Sequence, residues 1–168
     1  MKLMLSTFVT GIFFATLQMS YFFSLQTLLT STIFSYFSLV LCWFIGAIVG
    51  LRFFKFMDEK VILILSVVAY YLFLITLFFN RFNTTLLPIY VVLITISSIY
   101  AGYFFPFQSK FFRKINYLFL IENNGFVLGI ILSYILFMFY GIGFLELCPA
   151  IIFSILFMIK TCINVKFQ

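Results

Sequence analysis

The chain has no histidine, only four acids, one tryptophan, three prolines and three cysteines among its 168 residues. Each scarcity excludes something. Without histidine there is no His-held haem, no His-ligated zinc or copper centre and no Ser-His catalytic dyad. Cys42, Cys148 and Cys162 are odd in number and lack C-x-x-C spacing, so they read as scattered buried thiols. Charged residues make up 8% of the chain, against about 25% in soluble domains. Too few are present to clothe a core in water.

What the chain holds instead is apolar. Hydrophobic residues reach 65%, and the mean hydropathy of +1.27 places the chain among integral membrane proteins with lipid over most of their surface. The 28 phenylalanines and 10 tyrosines suit hydrocarbon and need no ligand-binding explanation. The acid-poor composition and the lack of a cofactor motif point away from catalysis, from any cofactor or metal, and from a nucleic-acid partner. The lipid bilayer is the partner the composition names. The chain is expected not to be an enzyme.

A transmembrane helix needs about 20 mainly apolar residues, and residues 3–51 carry no charge at all. The cluster SLQTLLTST, residues 24–32, is the natural turn between two spans there. Further along, Pro88 suits a helix start and Pro106 a helix end, while YGIG marks a turn. The expectation is an all-α, polytopic six-helix bundle, one integral membrane domain over residues 1–168. Its helices should lie at about 3–25, 30–51, 61–79, 86–105, 118–140 and 145–162.

Six spans place Lys2, Arg52, Lys55, Lys60, Lys110, Arg113, Lys114, Lys160 and Lys166 on one side and Arg81 alone on the other. That asymmetry predicts cytoplasmic termini in a plasma or inner membrane. The opening MKLMLSTFVTGIFFATLQMS resembles a signal sequence, but the apolar run continues without an A-x-A-like site, so an uncleaved anchor is expected. Asn83-Thr84-Thr85 matches a glycosylation triplet, a pattern common by chance.

Helices in lipid meet through small residues. At 100° per residue, Ser35, Leu39, Cys42, Gly46 and Gly50 form one stripe on the second helix; Thr7, Gly11, Ala15 and Gln18 form another on the first. The fifth helix carries Glu122, Gly125, Gly129, Ser133, Leu136 and Tyr140 within about 60° of one another. Gly46, Gly50, Gly125 and Gly129 are therefore the candidate packing residues. Glu122 has two readings: a helix-start acid favoured by the macrodipole and nearby bases, or an intramembrane acid lining a polar path. Gln18, probed the same way, reads first as interhelical hydrogen-bond glue. Asn123 and Asn124 point off the stripe but complete, with Glu122 and Gln18, the candidate polar path.

Taken together, FIGAIVG (44–50), AGYFFPF (101–107) and ENNGFVLG (122–129) resemble the membrane domain of spermidine synthase-like integral membrane proteins, which have matching glycine pairs and an F-P step. GIFFATLQ (11–18) is similar to that family's first helix, although the acid usual at the position of Gln18 and the base one turn later are missing. The resemblance covers about residues 5–160 and implies that Gly102 and Pro106 join the candidate packing residues. Many relatives continue into a cytosolic aminopropyltransferase-like domain with a Gly-rich nucleotide loop. No such loop lies within these 168 residues, so polyamine synthesis is not expected.

Two functions follow as expectations. One is a transporter-like half-size bundle, pairing with itself or another chain and moving a small polar or cationic solute, such as a polyamine, past Glu122 and Gln18. The other is a membrane anchor or accessory subunit that holds a membrane or cytosolic partner; a solute-binding subunit of a vitamin transporter is one form of it. The topology is open to a direct test. With single cysteines at Asn83 and Ser109, an impermeant thiol reagent should label the first from outside and the second from inside. Labelling of both from one side would overturn six spans.

Overall fold

In hydrocarbon every backbone N–H and C=O must find a partner within the protein, and the helix does this inside a single segment. The computed structural model describes residues 2–30, 33–56 and 58–164, and regular structure there is helical throughout. The six helices are α1 (Lys2–Leu28), α2 (Ile33–Phe53), α3 (Glu59–Phe79), α4 (Leu87–Gln108), α5 (Ile115–Tyr140) and α6 (Ile142–Asn164). All six are long and apolar enough to cross a membrane. Short 3₁₀ turns cover Phe54–Phe56, Thr84–Leu86 and Ser109–Phe111.

Several helix ends differ from the sequence expectation, each for a local reason. α1 runs on to Leu28 through the polar cluster, because hydroxyls such as Thr27 bond back to the carbonyl four residues earlier, Phe23 O at 2.7 Å. The rest of the expected turn includes Ser31 and Thr32, which lie outside the described residues, as does Lys166. Asp58 starts α3 two residues early by accepting from the amides of Lys60 and Val61 at 2.7 and 3.4 Å. Pro88 does sit in the first turn of α4. Pro106 does not end that helix: the ladder continues past it, with Ser109 N donating to Phe105 O. Pro106 takes one donor from the ladder, the amide that would have bonded the Gly102 carbonyl, and the helix resumes beyond it. The YGIG turn shrinks to Gly141, whose φ of +54° favours glycine, so α6 starts at Ile142 with Gly143 inside it.

The chain divides into two compact units, residues 1–20 with 111–168 and residues 21–110. In the second unit α2 and α3 both pack along α4. A Cβ on Gly50 would strike Ile99 O and lie 2.7 Å from Tyr103 N, and one on Gly102 would strike Ala47 O. One turn earlier, Gly46 faces Thr95 O and Ser98 Oγ. Only glycine lets these backbones approach so closely.

In the first unit α5 packs on α6 and crosses α1. A Cβ on Gly11 would strike Glu122 O and lie 2.8 Å from Phe126 N, and one on Gly125 would strike Phe8 O. Gly129 follows, against Ala15 and Ile12. The two crossings share one register. In each, a glycine meets the carbonyl three residues before its partner glycine and the amide one residue after it, and the partner glycine meets the carbonyl three residues before the first.

Hydroxyls reinforce both contacts. Ser66 Oγ donates to Ser97 O while Ser97 Oγ donates to Ser66 O at 2.8 Å, joining α3 to α4 by a reciprocal pair. Ser98 Oγ reaches Cys42 O at 3.2 Å across α2 and α4, and Ser133 Oγ reaches Thr16 Oγ1 at 3.3 Å across α5 and α1. Most other hydroxyls, Thr7, Thr10, Thr76 and Thr95 among them, bond within their own helix.

Gly11→Ala, Gly50→Ala, Gly102→Ala and Gly125→Ala should each lower unfolding free energy by about 1–3 kcal/mol, as overpacking does. Gly143→Ala, where nothing lies within 4 Å of an added Cβ, is the control and should lose nothing. Denaturant titration in mild detergent checks this; an equal response from all five would show that space at the crossings is not what glycine supplies.

Candidate functional site

Glu122 lies seven residues into α5, about 10 Å along the helix from its start. Macrodipole stabilisation fades within the first turn, so helix-start chemistry does not account for an acid there. Its side chain is buried, 4% exposed, on the stripe shared with the buried Gly125, Gly129 and Ser133. The other three acids, Asp58, Glu59 and Glu146, are exposed or half-buried.

Among the described residues no hydrogen bond or ion pair reaches the Glu122 carboxylate. The bases offered as partners by the sequence, Arg113 and Lys114, are exposed and stand eight or nine residues back along the chain. Gln18 is not a partner either. Gly11 lies against the Glu122 carbonyl, and Gln18 is seven residues further along α1, again about 10 Å in rise. Gln18 is half-buried, while Asn123 and Asn124 are exposed, off the glycine stripe of α5. Of the four candidate polar-path residues, the structure buries only Glu122.

Of the residues that share Glu122's level, only Thr7 was singled out by sequence pattern. Judged from the Gly11 register, they are Ser6, Thr7 and Thr10 of α1, all buried. Thr7 and Thr10 bond back to Leu3 O and Ser6 O at 3.0 and 2.8 Å, but the Ser6 hydroxyl has no protein partner. Buried hydroxyls and carboxylates without protein partners are where ordered water or a solute is accommodated. The signal in the sequence was the spacing Ser6, Thr10 on the helix that also carries Gly11.

The second unit has a polar centre of its own that sequence reading missed. Beside the Ser66–Ser97 pair stands Tyr21, and Tyr90 lies elsewhere on α4; both are fully buried with hydroxyls lacking a hydrogen bond, the Tyr21 hydroxyl close to Ser97 without reaching bonding geometry. Their rings belong to an edge-to-face aromatic cluster: Tyr21 to Tyr70 at 5.1 Å, Tyr21 to Phe73 at 4.7 Å and Phe73 to Tyr90 at 5.5 Å. The Oε1 of Gln108 is also buried without a partner. The adjacent serines 97 and 98 inside an apolar span were the available clue. Among the described residues no group of three Cys, Asp or Glu gathers to hold a metal.

Comparison of the chain with protein-family models, curated proteins and solved structures finds no match.

Because Glu122 loses no ion pair on neutralisation, Glu122→Gln should change unfolding free energy by less than about 1 kcal/mol. Removing one half of a buried pair costs about 3–5 kcal/mol. Denaturant titration in detergent separates these outcomes, and a loss in the larger range would reveal a charged partner.

Proposed function

We propose that the chain is a transporter-like membrane bundle that moves a small polar or cationic solute, with Glu122 as the residue that carries solute or proton. The observation behind this reading is a buried acid without a partner, set at a glycine-lined helix crossing. An ionisable group within a span is costly and ordinarily serves a path.

A second observation supports the same reading. Three helices form each unit, α2, α3 and α4 in one and α5, α6 and most of α1 in the other, and each unit contains the same glycine crossing. Repeated three-helix units are a recurrent plan in secondary transporters. Fold analogy does not by itself establish transport, and Glu122 is what makes the analogy specific.

On this reading both termini are cytoplasmic, the chain is not an enzyme, and a polyamine is the cationic solute to try first, following the resemblance to spermidine synthase-like membrane domains. Purified chain reconstituted in vesicles should take up a cationic solute from a polyamine and cation panel in a pH-dependent way. Glu122→Gln should abolish that pH dependence while leaving the fold intact. If the parent moves nothing in the panel, or the variant keeps the same pH profile, the transporter reading fails and the accessory-subunit reading takes its place.

A further inference from the structure

A groove of about 570 Å³ opens at the end of the first unit where α1 and α5 both begin. Leu3 and Met4 of α1 form one wall, Phe111 and Phe112 form another, and Arg113, Lys114 and Tyr117 complete it. That volume lies within the range of ligand-holding clefts, roughly 300–1,000 Å³. The two bases are exposed, and neither side chain meets an acid or a hydrogen-bond acceptor among the described residues. By contrast the nearby Lys110 is engaged, with its ammonium 5.3 Å from the Phe54 ring centre and 5.9 Å from that of Phe107.

The groove joins two unlike surfaces at one depth. Spans begin at Leu3 and Ile115, so its apolar wall stands where acyl chains start and its bases stand where headgroups lie. Bases just outside a span attract anionic lipid, and the aromatic ring of Tyr117 suits the same interface. A free phosphate would use the bases and gain nothing from Leu3, Met4, Phe111 and Phe112. A phosphodiester with two acyl chains uses both.

We propose that this groove is a binding site for one anionic phospholipid, its phosphodiester between Arg113 and Lys114 and its acyl chains along Leu3, Met4, Phe111 and Phe112. The site is separate from the buried acid and does not depend on any solute being moved. It would fix the start of α5 at the membrane surface and so set the depth at which Glu122 is held.

The full chain is extracted from vesicles of equal parts phosphatidylglycerol and phosphatidylcholine, and bound lipid is read by native mass spectrometry. The parent should retain one phosphatidylglycerol in preference to phosphatidylcholine. Arg113→Gln with Lys114→Gln should cut that preference by about tenfold or more, the scale expected for two bases at a charged surface. Arg52→Gln with Lys55→Gln, which removes the same charge from the exposed end of α2 and the 3₁₀ turn after it, should leave the preference nearly unchanged. Equal loss in both double variants would reduce the effect to net charge and overturn the site. Displacement of the lipid by millimolar inorganic phosphate would overturn it in favour of a soluble anion. A photoactivatable phosphatidylglycerol on the unaltered parent needs no variant to fold: crosslinks should map to residues 111–117, and crosslinks spread evenly over the loops would also sink the proposal.

Discussion

Lipid does little to push helices together, since an apolar side chain is as content against acyl chains as against another helix. Close approach of backbones is therefore the interaction on which this structure depends, and glycine is what permits it. At Gly50 and Gly102, and again at Gly11 and Gly125, a missing Cβ lets one helix backbone rest on the carbonyls of the next. Dispersion contacts accumulate steeply at such distances, and Cα–H···O contacts of the kind recurrent at helix interfaces add to them. Hydroxyl bridges then fix the rotation of each helix, as with Ser98 to Cys42 O and Ser133 to Thr16.

Much of this was legible in the sequence because the membrane imposes a simple code. Span number came from length and hydropathy, and the stripe of Gly46 and Gly50, like that of Gly125 and Gly129, came from a 100° rotation per residue. Helix ends were less legible because capping and turn geometry decide them locally. Pro106 looked like a stop but spares enough of the ladder to be carried within α4. Gly143 looked like part of a turn but the turn needs one positive φ, supplied by Gly141.

Polar positions were the hardest to read. A serine or threonine within a span can bond to its own helix, as Thr95 does to Val91 O, or to another helix, as Ser66 does to Ser97. Both choices look the same in a sequence. Partner choice needs axial register between helices, which is why Gln18 looked like company for Glu122 until Gly11 was seen to lie at that level. The register depends on which small residues meet, and each stripe offers more than one pairing.

The same spacing explains how an acid comes to be buried here at all. Glu122 precedes Gly125 by three residues, so it shares the glycine stripe and is carried into the crossing with it. A rotation of one residue would bring Asn123 to the crossing, and the neutral amides instead occupy exposed positions. Acid and close packing are thus set by one helical face, and the bases that could neutralise the acid stand before α5 begins, at Arg113 and Lys114. Moving Glu122 one turn earlier would place it within a short reach of those bases and beside the headgroups. At its actual position the acid stands more than two turns past them, at the level of the buried Ser6, Thr7 and Thr10 as judged from the Gly11 register, so one helical face sets both the close packing and the separation of the acid from its own bases.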